Sequence, residues 1–162
     1  MIPLIIMAVI IGLSVLLGLI FRVSAVFLFV SVTAGELLVR VVGDDAGLAL
    51  GAFVKNQNTT IIAQLVLLVL PLVFTILLLK KSLAKSKVLL HIVPFVAVGA
   101  LLFLFIVPIF PSSLQAQILG DPITNSVVKS QDLIIGASSL LILVTMWTTY
   151  RHHEKHHGKR HK

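Results

Sequence analysis

Lys80-Lys81-Ser82-Leu83-Ala84-Lys85-Ser86-Lys87 sets four lysines between two long apolar runs. Such a cluster belongs in water beside a membrane, on the side where Lys and Arg near span ends are retained, the cytoplasm. The rest of the chain is apolar enough to require that membrane. Of 162 residues, 58% are hydrophobic and only 12% charged, with a mean hydropathy of +1.11. A soluble domain of this size cannot hide so much apolar surface.

A spanning helix needs about 20 apolar residues for a hydrocarbon core about 30 Å thick. Working outward from the connector, residues 61–79 and 89–110 are two such runs, 2–20 and 24–42 precede them, and 133–150 follows. No segment alternates as a barrel strand would. The expected fold is therefore an all-α integral membrane protein with five transmembrane helices. Residues 1–150 form one polytopic domain, and 151–162 a basic, His-rich tail.

Phe21-Arg22-Val23-Ser24 holds neither Gly nor Pro, yet one helix from 2 to 42 would reach about 60 Å, so a tight hairpin is expected around Arg22. A cleaved signal peptide fits poorly, because no Lys or Arg precedes the run and Arg22 falls where a cleavage region is uncharged.

Five crossings gather Arg22, the connector and the tail on one face, and leave Asp44, Asp45, Asp121 and Asp132 with Lys55 and Lys129 on the other. The predicted topology is amino terminus outside and carboxyl terminus cytoplasmic, as in a bacterial plasma (inner) membrane. Trp147 and Tyr150, just before Arg151, suit an interfacial span end. The net charge of +7 then faces anionic lipid headgroups. No basic surface interleaved with aromatics points to nucleic acid. Cysteine is absent, which excludes disulfides and thiolate chemistry.

Residues 43–60 start polar at Gly43-Asp44-Asp45 and turn apolar through Leu48, Leu50, Phe53 and Val54, as a short segment at the outer interface would. After Pro111, a serine is placed to cap a short helix carrying Leu114 and Ile118 on one face, and Asp121-Pro122 reads as a turn.

Glu36 and Arg40 stand four apart on the second span, so their side chains can meet. Intramembrane ionisable groups often mark ion or proton paths. No other span carries a carboxylate, which favours a structural pair near the outer interface with Arg40 snorkelling to water. His91, near the start of the fourth span, is expected to pack rather than titrate functionally. Ala8 and Gly12, Ser14 and Gly18, and Ser31 and Gly35 have the small-xxx-small spacing that lets helices approach closely. They predict a tight pair of the first two helices. Pro71 and Pro94 predict kinks in the third and fourth.

In the tail, His152 with His156 and His153 with His157 fall at i,i+4, a spacing that chelates Zn or Ni if the helix continues. The plainer alternative, a basic tail touching headgroups, is preferred, since His-rich tracts are compositional evidence only. No other cofactor is expected.

Leu17-Gly18-Leu19-Ile20-Phe21-Arg22 leading into a second span, then an outer loop, a third span, a basic connector and a fourth span with Val98-Gly99-Ala100, resembles the layout of the colicin V production protein family of small bacterial inner-membrane proteins. The resemblance covers residues 2–110. It implies no catalytic residue or cofactor. The family's acidic residue at the start of the first span is replaced by Met1-Ile2-Pro3, its Arg-Gly pair by Arg22-Val23, and the fifth span is not typical of it.

Three classes of function are open. The favoured one is a non-enzymatic accessory or scaffold protein that packs with another membrane protein or as a homo-oligomer. Next is a transporter or channel subunit using Glu36 and Arg40 in an oligomer. A membrane enzyme comes last, since no nucleophile with a base, paired carboxylates or metal-binding His pair lies inside a span.

Overall fold

The structure, a computed structural model, describes residues 2–53, 58–80, 82–83 and 91–157, the last nine of these as backbone. Lys81, Lys85 and Lys87 of the connector, and Val54 and Lys55 of the outer segment, lie outside the described residues. Among the described residues seven α-helices follow one another: α1 (Ile2–Phe21), α2 (Ala25–Phe53), α3 (Thr59–Leu78), α4 (Ile92–Ile106), α5 (Ser112–Gly120), α6 (Pro122–Lys129) and α7 (Gln131–His157). A 3-10 turn, Val107–Ile109, extends α4. Helices α1, α2, α3, α4 with its 3-10 turn, and α7 are long and apolar enough to cross a membrane.

The hairpin expected at Arg22 is present. Helix α1 ends at Phe21 and α2 starts at Ala25, with Arg22 left-handed at φ 50°. That conformation is uncommon for a residue with a Cβ, and neighbouring chain secures it. The Leu83 N–H donates to the Arg22 carbonyl at 2.8 Å, and the Ser24 N–H to the Ser82 hydroxyl at 3.2 Å. The α1–α2 turn and the segment after α3 thus share one end of the bundle.

The helices pair as α2 with α3 and α1 with α4, and α7 leans on α4. The expected α1–α2 pair is not the principal packing. The small residues of the two helices serve two separate seams instead.

Helix α2 continues eleven residues past the expected end of the second span, through Asp44 and Asp45 to Phe53. The polar start of that segment looks like a loop in one dimension. In three, Gly43 and Gly47 are buried on the α3 side while Asp44 and Asp45 are exposed. Asp44 Oδ1 accepts a hydrogen bond from Gln64 Nε2 of α3 at 3.2 Å.

At the end away from Arg22, α5 and α6 close over α1 and α4. Ile118 is buried against Phe103 and Val107. Asp121 is the N-cap of α6, accepting from the Ile123 and Thr124 N–H groups, with Pro122 in the first turn. The turn expected at Asp121-Pro122 is therefore also a helix start. The serine cap expected for α5 does not form: Ser112 is already helical and Pro111 holds the cap position without a side-chain bond.

Pro71 lies inside α3, and the helix is assigned unbroken from Thr59 to Leu78. Pro94 is the third residue of α4, where a backbone N–H has no intrahelical acceptor. It costs no helical bond there, so the physical reason for a kink is absent.

Candidate functional site

Glu36 and Arg40 are brought together. Arg40 Nε donates to Glu36 Oε1 at 2.7 Å along one face of α2. Helix α2 is longer than the sequence indicates, so the pair lies nearer the middle of the helix than a span ending at Val42 would put it. Gly47 packs on Thr60 near the start of α3 and Gly35 packs on Leu68 half-way along it. Glu36 is then about 17 Å from Ala25 and about 17 Å from Gly47 at 1.5 Å per residue, the middle of the bundle. Its side chain is 15% exposed, whereas that of Arg40 is 71% exposed.

The pair borders an apolar groove of about 520 Å³ between α2, α4 and α7. Phe29, Thr33, Leu37, Phe105 and Ile135 line it alongside Glu36 and Arg40. Thr33 Oγ1 already donates to the Phe29 carbonyl at 2.9 Å. Apart from this pair and the threonine, the groove wall is hydrocarbon.

Of the small residues singled out in the sequence, four sit in seams and two do not. Ser14 and Gly18 are buried on α1. A Cβ added to Gly18 would lie 2.6 Å from the Phe95 ring, and one added to Gly99 would lie 2.8 Å from Ile11 Cα and 3.1 Å from Ser14 Cβ. Ser31 and Gly35 are buried on α2. A Cβ at Gly35 would overlap the Leu68 carbonyl oxygen. Ser31 Oγ donates to the Phe27 carbonyl at 2.7 Å, so in its contact with Thr75 Oγ1 the threonine is the donor.

Ala8 and Gly12 are exposed, and nothing lies within 4 Å of a Cβ built on Gly12. Sequence reasoning missed Gly43 and Gly47. The signal was there: positions 31, 35, 39, 43 and 47 form one stripe at four-residue spacing, masked by the two aspartates beside it.

His91 is buried at 3% exposure, its ring centroid 6.1 Å from that of Phe95. Helix α7 continues through His157, so the tail histidines occupy successive turns, but their side chains lie outside the described residues. Among the described residues no cluster of His, Asp or Glu is arranged to hold a metal ion. Compared with known proteins, the chain matches no family model, and no curated protein or solved structure is found similar to it.

Proposed function

We propose that this chain is a non-enzymatic membrane protein that works by lateral assembly, with another membrane protein or with copies of itself, through the α2 face bearing Glu36 and Arg40. One observation carries this: an ion pair stands half-way along the bundle with Arg40 71% exposed to what would be lipid. Ionisable groups at that depth face protein or water rather than hydrocarbon tails. Part of the pair is covered by its own fold, and a neighbouring protein covers the rest. The amino terminus is outside and the carboxyl terminus in the cytoplasm, a proposal resting on the basic residues Arg22 and Lys80 at one end and Asp44, Asp45 and Asp121 towards the other. A bacterial plasma membrane suits that charge distribution.

A second reading has its own support. The groove beside Glu36 would become a closed passage if a second copy covered it, with Glu36 and Arg40 in its wall, and the chain would then be a transporter or channel subunit.

Native mass spectrometry from nanodiscs tests the proposal. The wild type should leave as a defined oligomer or a stoichiometric complex with a membrane partner. The double variant Glu36→Gln, Arg40→Gln should leave as a monomer with unchanged helical circular dichroism. A wild-type monomer with no companion would overturn the proposal. An intact oligomer of Glu36→Gln that has lost ion or proton flux would replace it with the transport reading.

A further inference from the structure

A second cavity, remote from the Glu36 groove, lies between the two helix pairs. It measures about 390 Å³, within the range of about 300–1,000 Å³ usual for small-molecule sites. Of its lining side chains, contributed by α1, α2, α3 and α4, Ser14 alone is polar. Along α1 the lining runs from Phe21 back to Ile10, about 17 Å of helix. That is about half of a 30 Å hydrocarbon core, the depth of one leaflet.

The cavity's end at the Arg22 turn identifies the occupant. Phe21, Leu28 and Leu77 lie at the end of the bundle where the Arg22 turn meets Ser82 and Leu83. Lys80 Nζ stands 5.6 Å from the Phe21 ring centroid. Arg22 follows Phe21 directly, and the whole stretch from residue 1 to 35 and from 46 to 120 contains no Asp or Glu. One cation thus stands against the lining residue Phe21 and a second follows it in the chain, at the end of an apolar slot one leaflet deep, with no acid at that end among the described residues of the four helices. A detergent-like or neutral ligand would leave the cations unused, and a partner helix is too wide for a slot of this volume, since a helix with its side chains is about 10 Å across.

We infer that the cleft between the α1/α4 and α2/α3 pairs holds one acyl chain of an anionic phospholipid from the leaflet at the Arg22 end, with its phosphate between Arg22 and Lys80. The lipid fills the space that the two seams leave between them. The phosphate ties the α1–α2 turn to the end of α3, adding to the Leu83 N–H bond to the Arg22 carbonyl, the Ser24 N–H bond to Ser82 and the contact of Lys80 with Phe21.

The test uses the full chain in nanodiscs of equimolar phosphatidylglycerol and phosphatidylcholine, released for native mass spectrometry. One phosphatidylglycerol should stay bound per chain in preference to phosphatidylcholine. Arg22→Gln and Lys80→Gln should each reduce that preference about fivefold. Val73→Trp, placed at the cleft's exposed rim on α3, should remove the bound lipid, and Leu13→Trp does the same from α1 if the first variant fails to fold. Equal retention of the two lipids by the wild type, no retained lipid, or a bound lipid that survives either tryptophan with helical circular dichroism unchanged would overturn the assignment. The wild-type preference needs no variant, so misfolding of both tryptophan variants leaves the proposal exposed to refutation.

Discussion

The two seams of this bundle use glycine in two ways, against main chain at Gly35, Gly47 and Gly99 and against a side chain at Gly18. On α2, Gly35 and Gly47 bring backbone against backbone: their missing Cβ atoms leave room for the Leu68 carbonyl and for Thr60 Cα. On α1, Gly18 makes room for the ring of Phe95, which is fully buried. A carbonyl cannot move without breaking a helix turn, whereas a side chain can be shortened. Gly35 should therefore be intolerant of any added volume, as should Gly99 of α4 against Ile11 Cα, and Gly18 tolerant of volume that is removed on the other side.

The largest effect is expected at Gly35. Gly35→Leu has no space on the α3 side and no flexible neighbour to displace. Overpacking a fitted core costs about 1–3 kcal/mol and sometimes more, and here the upper part of that range or beyond is expected. Thermal unfolding in detergent, followed by circular dichroism, should show a large drop in Tm or no folded protein. A Tm within a degree of wild type would mean that α2 and α3 do not meet at Leu68.

Next comes Gly18→Ala, expected to destabilise by about 1–3 kcal/mol. The informative measurement is the cycle with Phe95→Leu. In that background the added methyl replaces volume that the ring has given up, and its further cost should fall towards zero. Additive losses would show that Gly18 is constrained by something other than the ring. No such rescue is expected for Gly35, whose neighbour is main chain, and that contrast is what separates the two positions.

Much of this was legible from residue order, and the failures have a common cause. The five spans, the turn at Arg22 and the Glu36–Arg40 pair follow from apolar length, from the reach of a helix and from i,i+4 spacing, all of which are local. The pairing of helices is not local. Small-xxx-small spacing marks a face without naming its partner, so Ser14 and Gly18 were assigned to α2 when they face α4. The carboxyl-terminal end of α2 is not legible because Asp44 and Asp45 read as a break, while the glycines on the opposite side of the same turns fix the helix to α3. The cleft between the pairs left no trace in the sequence, for it is bounded by four helices whose arrangement only the fold supplies.

A smaller effect sharpens the α2/α3 seam. Thr75 donates to Ser31 Oγ, and Ser31 spends its own proton on the Phe27 carbonyl. Thr75→Val keeps the shape and removes one donor, leaving Ser31 with its intrahelical bond. Interhelical hydrogen bonds in membranes average about 0.6 kcal/mol, so a Tm loss near the limit of detection is expected. A loss of 2 kcal/mol or more would make polar contact, rather than close backbone approach, the main cement of this seam.

The smallest expected effect is also the one that divides fold from assembly. Gly12 follows the same four-residue spacing as Gly18 and Gly35, and the sequence gives no reason to treat it differently. In the structure it is exposed and an added Cβ meets nothing. Gly12→Leu should leave the thermal unfolding of the monomer unchanged, because Leu in an open helix position adds no clash and exposes only more hydrocarbon to hydrocarbon. If lateral assembly runs through α2 alone, native mass spectrometry should also show the same oligomer for Gly12→Leu as for the wild type. Loss of the oligomer with unchanged Tm would place a second contact on the outer face of α1, and the two helices would then each present one face to their own seam and another to a neighbour.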